Sequence, residues 1–264
     1  MTTAYLARLS LAGLVVATLA GGPTQLRSQA GSTKPTIILV HGAFADGTGW
    51  QHVIPLLERE GYNVLAVQNP LTSLATDVST TKRLIDAQRG PVVVVGHSYG
   101  GAVITGAASG NPNVKALVYI AAFAPEANEP VGAFVEKYPS QLGAALKPDA
   151  AGFLYIDRAK FRDVFARDVS ASDASVMSSA QKPITGSVFG ESVPTPAWKT
   201  IPAWYMVAQE DRAINPDLER FYAKRMGART IEVKASHVVF VSHPKAVAKL
   251  IEQAASASAR TASR

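Results

Sequence analysis

The sequence predicts an α/β fold, with a mostly parallel, doubly wound sheet, helices on both faces and a small helical cap. Short, continuous runs of apolar and β-branched residues recur along the chain, as in strands that are buried on both faces. Helical patterns alternate with these runs, which is typical of a parallel sheet. The expected strands span residues 36–40, 63–67, 91–95, 114–120, 203–207 and 230–233. The expected helices span residues 50–60, 75–87, 101–108, 216–226 and 244–255.

One long interval, residues 124–200, breaks this alternation. It contains short helix-like pieces at 128–138, 158–167 and 172–180, separated by Pro and Gly, and no run of the buried-strand type. An insertion of this size between two strands is best interpreted as a cap over one end of the sheet. Its many Phe, Tyr and Trp residues are expected to be mostly packing residues of the cap.

Length and composition indicate one globular domain. The 264 residues suffice for a full-sized α/β domain. Hydrophobic residues make up 47% of the chain and charged residues 17%, which excludes a largely disordered or fibrous protein. The sequence has no cysteine, so it excludes a disulfide, a thiolate nucleophile, a Cys-ligated zinc and a lipoprotein acylation site. The formal charge of +6 is spread without basic runs, so we expect no nucleic-acid partner.

The first thirty residues have the layout of a secretory signal peptide. Arg8 is the only charged residue before the mostly apolar run 9–20, and small polar residues follow that run. The run is too short to span a bilayer, so we expect no stable membrane insertion after cleavage. Signal peptides are cut after small residues, and this requirement is met by a cut after Ala20 and by a cut after Ala30. The sequence does not choose between the two. We therefore expect residues 1–30 to be a signal peptide, residues 31–264 to form the domain, and the mature protein to be periplasmic or secreted.

A candidate nucleophile follows the third expected strand. Gly96, His97, Ser98, Tyr99 and Gly100 match the pattern G-x-S-x-G directly after the strand and directly before a helix. A sharp turn from strand to helix forces the serine into a strained conformation, and the small residues two positions on either side relieve the crowding. This context indicates that Ser98 is a nucleophile.

A serine nucleophile needs a base, and the base needs an acid that orients it. With the order serine, acid, histidine along the chain, His237 is the expected base because it lies just after the last strand. Two carboxylates, Glu210 and Asp211, follow the strand 203–207, and either could accept the Nδ1 proton of His237. The pattern alone leaves both open.

The reaction also requires two backbone N–H groups that stabilise the oxyanion. We expect one from Tyr99, the residue after the nucleophile, and the other from Ala43, in the loop after the first strand. Phe44 would then line the substrate pocket, although plain packing against the cap is an equally good interpretation of this residue.

Together, His41 to Phe44, Gly96 to Gly101, Glu210 to Ile214 and Ser236-His237 resemble the α/β-hydrolase superfamily. The resemblance extends from Thr36 to Ile251 and is strongest to small-cap bacterial esterases related to the plant methylesterase and hydroxynitrile lyase group. It implies an eight-stranded type of sheet, of which six strands are recognisable, a helical cap, and no metal or organic cofactor. It also places the acid at Asp211, whose shorter side chain holds an imidazole more rigidly.

The resemblance implies hydrolysis of small carboxylic esters, with lactones as a further possibility. The related lyases carry a lysine immediately after the histidine, whereas this sequence has Val238, which disfavours lyase chemistry. Two alternatives stay open: lyase or perhydrolase chemistry on the same triad, and a non-catalytic small-molecule binding protein. An intact triad disfavours the binding protein, because binding alone does not require all three residues.

Overall fold

The computed structural model describes Met1 and residues 34–262. The expected signal peptide, residues 1–30, lies outside the described residues except for Met1. In the described part of the chain, no helix is long and apolar enough to cross a membrane.

Within residues 34–262, nine strands form two separate sheets. The strands are β1 (Thr36–Val40), β2 (Val64–Ala66), β3 (Val92–His97), β4 (Val114–Ile120), β5 (Leu146–Pro148), β6 (Phe153–Ile156), β7 (Ile184–Thr185), β8 (Ala203–Ala208) and β9 (Arg229–Val233). Six of them make the main sheet, in the order β2-β1-β3-β4-β8-β9, and every neighbouring pair in it is parallel. The predicted fold class, a mostly parallel α/β sheet, is confirmed.

The position of each strand in the main sheet follows from its side chains. The central strand β3 carries four consecutive valines and is buried throughout, as expected for a strand with helices on both faces. The edge strand β9 carries two charged residues, Arg229 and Glu232, and is mostly exposed. Charged side chains on an edge strand also oppose pairing with another chain.

Eight α-helices accompany the strands in the part of the chain that the structure describes. They are α1 (Ile54–Arg59), α2 (Leu74–Asp86), α3 (Tyr99–Ala107), α4 (Arg158–Phe165), α5 (Ala171–Ala180), α6 (Pro216–Arg225), α7 (Val239–Ser242) and α8 (Pro244–Ala262). Local signals set several of their starts: Ser73 and Asn215 cap α2 and α6 through side-chain oxygens, and Pro216 takes the first position of α6. The short helix α7, which begins two residues after His237, was not expected from the sequence.

The chain between β4 and β8, called the insertion below, differs in part from the expectation. It contains α4 and α5 near their expected positions, but also the small antiparallel sheet β5-β6-β7, which was not predicted. The helix expected at 128–138 is wrong, because the chain there forms turns. Pro130 cannot donate a helical hydrogen bond, and the N–H groups of Val131 and Gly132 instead donate to Glu191 and Phe189.

The carboxyl ends of the main-sheet strands bring the predicted site residues to one edge. Ser98 follows β3, Asp211 follows β8 by a short loop, and His237 follows β9. The loop after β1 begins with His41 and Gly42 and lies beside Ser98. Ligands of open α/β sheets bind at this edge, so the described topology gathers these residues where a substrate would bind.

Close packing of α3 against the end of β4 yields a prediction about Gly101. A Cβ atom at Gly101 would contact the carbonyl oxygen of Phe123 and lie 2.7 Å from the Cβ of Ala122, and backbone cannot easily move away. We expect Gly101→Ala to lower the free energy of unfolding by about 1–3 kcal/mol despite the better helix propensity of alanine. Urea denaturation measures the free energy of unfolding of the variant and of the wild type. Gly90→Ala is the control, since a Cβ there meets nothing within 4 Å. Equal stability of both variants would contradict the packing interpretation.

Candidate active site

Ser98 occupies a strained turn between β3 and α3. Its backbone has φ 54° and ψ −126°, a combination that non-glycine residues rarely adopt. A Cβ on Gly96 would lie 2.5 Å from the carbonyl oxygen of Gly100, and one on Gly100 would lie 2.6 Å from the carbonyl oxygen of Val40. The two glycines therefore allow three backbone segments to approach at the turn. Ser98 is left 6% exposed, at the N-terminus of α3.

His237 and Asp211 form a buried hydrogen bond. The Nδ1 of His237 lies 2.5 Å from Oδ2 of Asp211, and the two residues are 1% and 5% exposed. Because a carboxylate only accepts, the proton sits on Nδ1 and the Nε2 of His237 is left as an acceptor. The second carboxylate oxygen, Oδ1, accepts from the N–H groups of Ala213 and Ile214 at 2.6 and 2.9 Å. The orientation of Asp211 is thus determined by three donors.

Glu210, the alternative acid, points elsewhere. Its carboxylate accepts from Arg167 at 3.1 Å and lies 3.7 Å from the ammonium of Lys234, and its side chain is 31% exposed. Of the two neighbouring carboxylates, the structure brings Asp211 and not Glu210 to His237. Successive side chains leaving a strand diverge, which accounts for the separation.

The hydroxyl of Ser98 makes no hydrogen bond with another described residue. The predicted triad is therefore joined by one direct hydrogen bond, between His237 and Asp211. In enzymes without substrate, catalytic hydrogen bonds are often long and shorten only when the complex forms.

Of the two expected oxyanion donors, Tyr99 directly follows Ser98, and Ala43 follows Gly42, which packs against Ser98. Tyr99 begins α3, and its N–H has no acceptor within the helix; the N–H of Ala43 likewise has no partner among the described residues. A Cβ on Gly42 would lie 2.6 Å from the Cβ of Ser98, so the Ala43 loop approaches the nucleophile closely. Two unpaired N–H groups beside a serine can accommodate an oxyanion.

His41 holds the Ala43 loop in place. Its Nδ1 donates to the carbonyl of Gly42 at 2.8 Å, and its Nε2 accepts from the N–H of Asn69 at 3.0 Å. The Nε2 contact requires a neutral imidazole, because an acceptor nitrogen carries no proton, and burial lowers the pKa of His41 to about 4. The side chain of Tyr99 is fixed similarly, because its hydroxyl donates to the buried Asp77 at 2.8 Å.

Phe44 packs against the insertion. It has a positive φ of 60°, is 3% exposed, and its ring meets the ring of Phe165 edge to face at 6.2 Å. Phe165 in turn lies 4.8 Å from the imidazole of His237, ring centre to ring centre. The surroundings of the imidazole are therefore apolar on the side of the insertion.

Sequence reasoning missed the contribution of His97. This residue is completely buried, and its Nε2 donates to the carbonyl oxygen of His237 at 3.0 Å. Burial holds the pKa of His97 well below its usual range, so it is a neutral donor. The signal was present, because His97 belongs to the G-x-S-x-G motif, but its partner lies 140 residues away.

Glu219, on α6, is a second missed residue. It is completely buried, its Oε2 accepts from the N–H of Ala208 at 3.0 Å, and its Oε1 has no hydrogen-bond partner among the described residues. Burial, and then the negative charge of Asp211, raise the pKa of Glu219 well above its usual range. The raised pKa favours the neutral, protonated form of Glu219, which lies near the acid of the site.

No group of three or more His, Asp or Glu side chains within the described residues is arranged to hold a metal ion.

Comparisons with known proteins agree with this geometry. The profile of the alpha/beta hydrolase family matches residues 37–250. Alpha/beta hydrolase nvfD of Aspergillus novofumigatus is 26% identical over 250 residues, which cover 84% of this chain and 97% of that protein. Polyneuridine aldehyde esterase of Rauvolfia serpentina is 25% identical over 247 residues, covering 81% of this chain and 93% of that protein.

A solved structure shows the same fold. A pyrethroid hydrolase from Sphingobium faniae JZ-2 superposes with a TM-score of 0.73 at 24% identity, covering 84% of this chain and 98% of that chain.

The raised pKa of Glu219 predicts how stability depends on pH. A carboxyl whose pKa is higher in the folded than in the unfolded state stabilises the protein fully at pH values below the unfolded pKa, near 4.5. That stabilisation is lost as the pH rises through the folded pKa. Glu219→Gln keeps an acceptor for Ala208 and cannot ionise. Relative to the wild type, we expect its stability to improve with rising pH, by at most about 1.4 kcal/mol per pH unit.

Urea denaturation at pH 5 and pH 8 measures the difference. The exposed Glu58→Gln is the control and should follow the wild type at both values. The compared quantity is the free energy of unfolding of Glu219→Gln minus that of the wild type. If this difference were constant or fell between pH 5 and pH 8, Glu219 would be ionised in the folded protein.

The match over most of the chain, the parallel sheet and the strained serine turn confirm the predicted family: this chain belongs to the alpha/beta hydrolase family.

Proposed function

We propose that the protein is a serine esterase that hydrolyses small carboxylic esters, with Ser98 as nucleophile, His237 as base and Asp211 as its acid partner. The observation that carries this proposal is the buried hydrogen bond of 2.5 Å between His237 and Asp211, at the same sheet edge as the strained Ser98. Homologues that span most of the chain support it, since they are named hydrolases and esterases.

In the first half of the reaction, Nε2 of His237 removes the proton from Ser98 Oγ, and the oxygen attacks the ester carbonyl carbon. The negative oxygen that develops is stabilised by the N–H groups of Ala43 and Tyr99. The tetrahedral intermediate expels the alcohol, which takes the proton from the imidazolium of His237. An acyl group is left on Ser98.

In the second half, His237 removes a proton from water, and the resulting hydroxide attacks the acyl carbon. The intermediate collapses, the carboxylic acid leaves, and Ser98 recovers its proton from His237. The imidazolium that forms in each half is stabilised by the Asp211 carboxylate. Burial keeps the pKa of His97 low, so His97 adds no positive charge beside it, and the raised pKa of Glu219 disfavours a second negative charge there.

Apolar substrates fit the surroundings of the imidazole. Phe165 lies against His237, and Phe44 and Phe161 lie against Phe165. These aromatic side chains support an ester with an apolar acyl or aryl group.

Lyase chemistry is disfavoured because the residue after His237 is the fully buried, uncharged Val238. Export to the periplasm or medium is part of the proposal and rests on the sequence of residues 1–30.

Removing the nucleophile tests the proposal directly. We expect Ser98→Ala to lower kcat by about a thousandfold or more with the fold intact, as for the loss of a triad nucleophile. Ser178→Ala is a matched control, because Ser178 is also 6% exposed but lies in α5. Activity is measured on p-nitrophenyl esters of increasing chain length, beside lactones and amides. A fluorophosphonate should label Ser98 alone. Wild-type activity in Ser98→Ala, or an adduct on another serine, would refute the assignment.

A second test separates the two neighbouring carboxylates. Asp211→Asn replaces an acceptor with an amide that can hold the wrong imidazole tautomer, and we expect a loss of about 10²- to 10⁴-fold in kcat. Glu210→Gln breaks only a partly exposed ion pair with Arg167, so we expect a loss below about tenfold. Steady-state kinetics of both variants decide the assignment. A severe loss in Glu210→Gln with near-normal Asp211→Asn would transfer the acid role to Glu210.

A further inference from the structure

The residue before the proposed base is held by a carboxylate from the insertion. Asp168 Oδ2 accepts from the backbone N–H of Ser236 at 3.0 Å, and Asp168 Oδ1 accepts from the hydroxyl of the same serine. Ser236 is 2% exposed and directly precedes His237. Both oxygens of one carboxylate therefore bind one residue, which fixes its backbone and its side chain together.

Asp168 is ionised in this position. Burial opposes the charge, but hydrogen bonds from Ser236, from Ser242 and from the backbone of Asp168 together outweigh it and lower the pKa of Asp168. The other titratable group facing the carboxylate is His243, whose Nδ1 lies 3.8 Å away and also contacts the hydroxyl of Ser242. Hydrogen bonds to an ionised acceptor are roughly twice as strong as those between neutral groups. The contact between Asp168 and Ser236 is thus a strong one.

With this contact, the backbone of His237 is held on both sides. Asp168 holds the N–H of the preceding residue, and His97 donates to the carbonyl of His237 itself. Asp211 fixes the ring through Nδ1. Backbone and ring are then both constrained, as a base that must meet a serine hydroxyl requires.

The insertion also contacts the imidazole directly. Phe165, three residues before Asp168, packs on the ring of His237 at 4.8 Å. A short stretch at the end of α4 therefore contacts both the ring of His237 and the residue before it.

We propose that Asp168 is a positioning residue for the base: its carboxylate, supplied by the insertion, fixes Ser236 and thereby sets the placement of the His237 imidazole relative to Ser98. The inference rests on the proposed function of His237. It assigns a role in the reaction rate to a residue that lies outside the triad and the oxyanion hole.

Asp168 could instead only fasten the insertion to the rest of the domain, and the two roles predict different results. A fastening residue would change stability and KM, because the insertion borders the site, and would leave kcat and the environment of His237 unchanged. A positioning residue would change kcat and the imidazole, with KM nearly constant.

Two substitutions at Asp168 separate these roles. Asp168→Ala removes both contacts, and we expect kcat to fall by about tenfold with KM within about twofold, since small misplacements of a catalytic group are costly. Asp168→Asn can restore both contacts, because its amide oxygen accepts from the Ser236 N–H and its amide nitrogen donates to the Ser236 hydroxyl. We expect kcat of Asp168→Asn within about threefold of the wild type.

Arg167→Ala is the matched control. Arg167 is the adjacent residue, and its ion pair with Glu210 also joins the insertion to a loop of the site, but it holds no backbone group next to His237. We expect its kcat to be near that of the wild type, as for a partly exposed ion pair. Thermal unfolding of all variants reports the stability that each contact contributes.

Nuclear magnetic resonance gives a readout that does not require an ester. The signal of the His237 Nδ1–H proton should broaden or exchange faster with solvent in Asp168→Ala and recover in Asp168→Asn. Unchanged kcat and an unchanged signal in Asp168→Ala would overturn the proposal, and so would an Asp168→Asn variant as impaired as the alanine variant. If the wild type hydrolysed no ester, the proposed function would fail, and this signal would still test Asp168.

If Asp168→Ala does not fold, Ser236→Ala takes its place. It removes the hydroxyl contact and keeps the backbone contact, so we expect a loss of about threefold in kcat together with a shifted Nδ1–H signal. Wild-type kcat and an unshifted signal in Ser236→Ala would overturn the proposal.

Discussion

The burial of the Asp211 carboxylate, at 5% exposure, is the constraint that organises the site. A buried carboxylate is costly unless donors replace the water it has lost. Here the donors are the N–H groups of Ala213 and Ile214 and the Nδ1–H of His237. The loop after β8 must curl back on Asp211 to supply the two N–H groups, which places Asp211 at the turn. The direction of the imidazole then follows from the remaining oxygen.

The same buried charge affects the groups around it. A second negative charge beside Asp211 would be repelled, and burial together with this repulsion raises the pKa of Glu219 and favours its protonated form. His97 also stays neutral because it is completely buried, and a neutral imidazole can donate from Nε2 to the carbonyl of His237. Asp211 is therefore the carboxylate that contacts the imidazole of His237 itself. An imidazolium forming on His237 would be stabilised directly by the Asp211 carboxylate, whose hydrogen bonds exist before the reaction begins.

The sequence predicted those parts of the site that depend on local chemistry. A strand that runs into G-x-S-x-G requires a sharp turn, so Ser98 and the glycines around it could be located from adjacent residues alone. The six main strands were recognisable because both of their faces are apolar or because they end in turn residues. By contrast, the contacts of His97, Glu219 and Asp168 join residues that are distant in sequence, and no local pattern reports them. The two-residue strand β7 is too short for periodicity to detect, and the turns at 128–138 depend on partners at 189–191.

The contacts at the end of α4 link access to the site with the placement of the base. Ser98 is 6% exposed and His237 1%, so the reacting atoms are nearly covered, and Phe165 is part of what covers them. Phe165 ends α4, and Asp168 follows three residues later. A rigid displacement of this segment that lifted the Phe165 ring from the imidazole would therefore also pull on Ser236. If Asp168 positions the base as proposed, the base is held best when the insertion is closed over the imidazole. Exclusion of water and alignment of the base would then occur in the same closed arrangement, which is where the electrostatic effect of Asp211 is strongest.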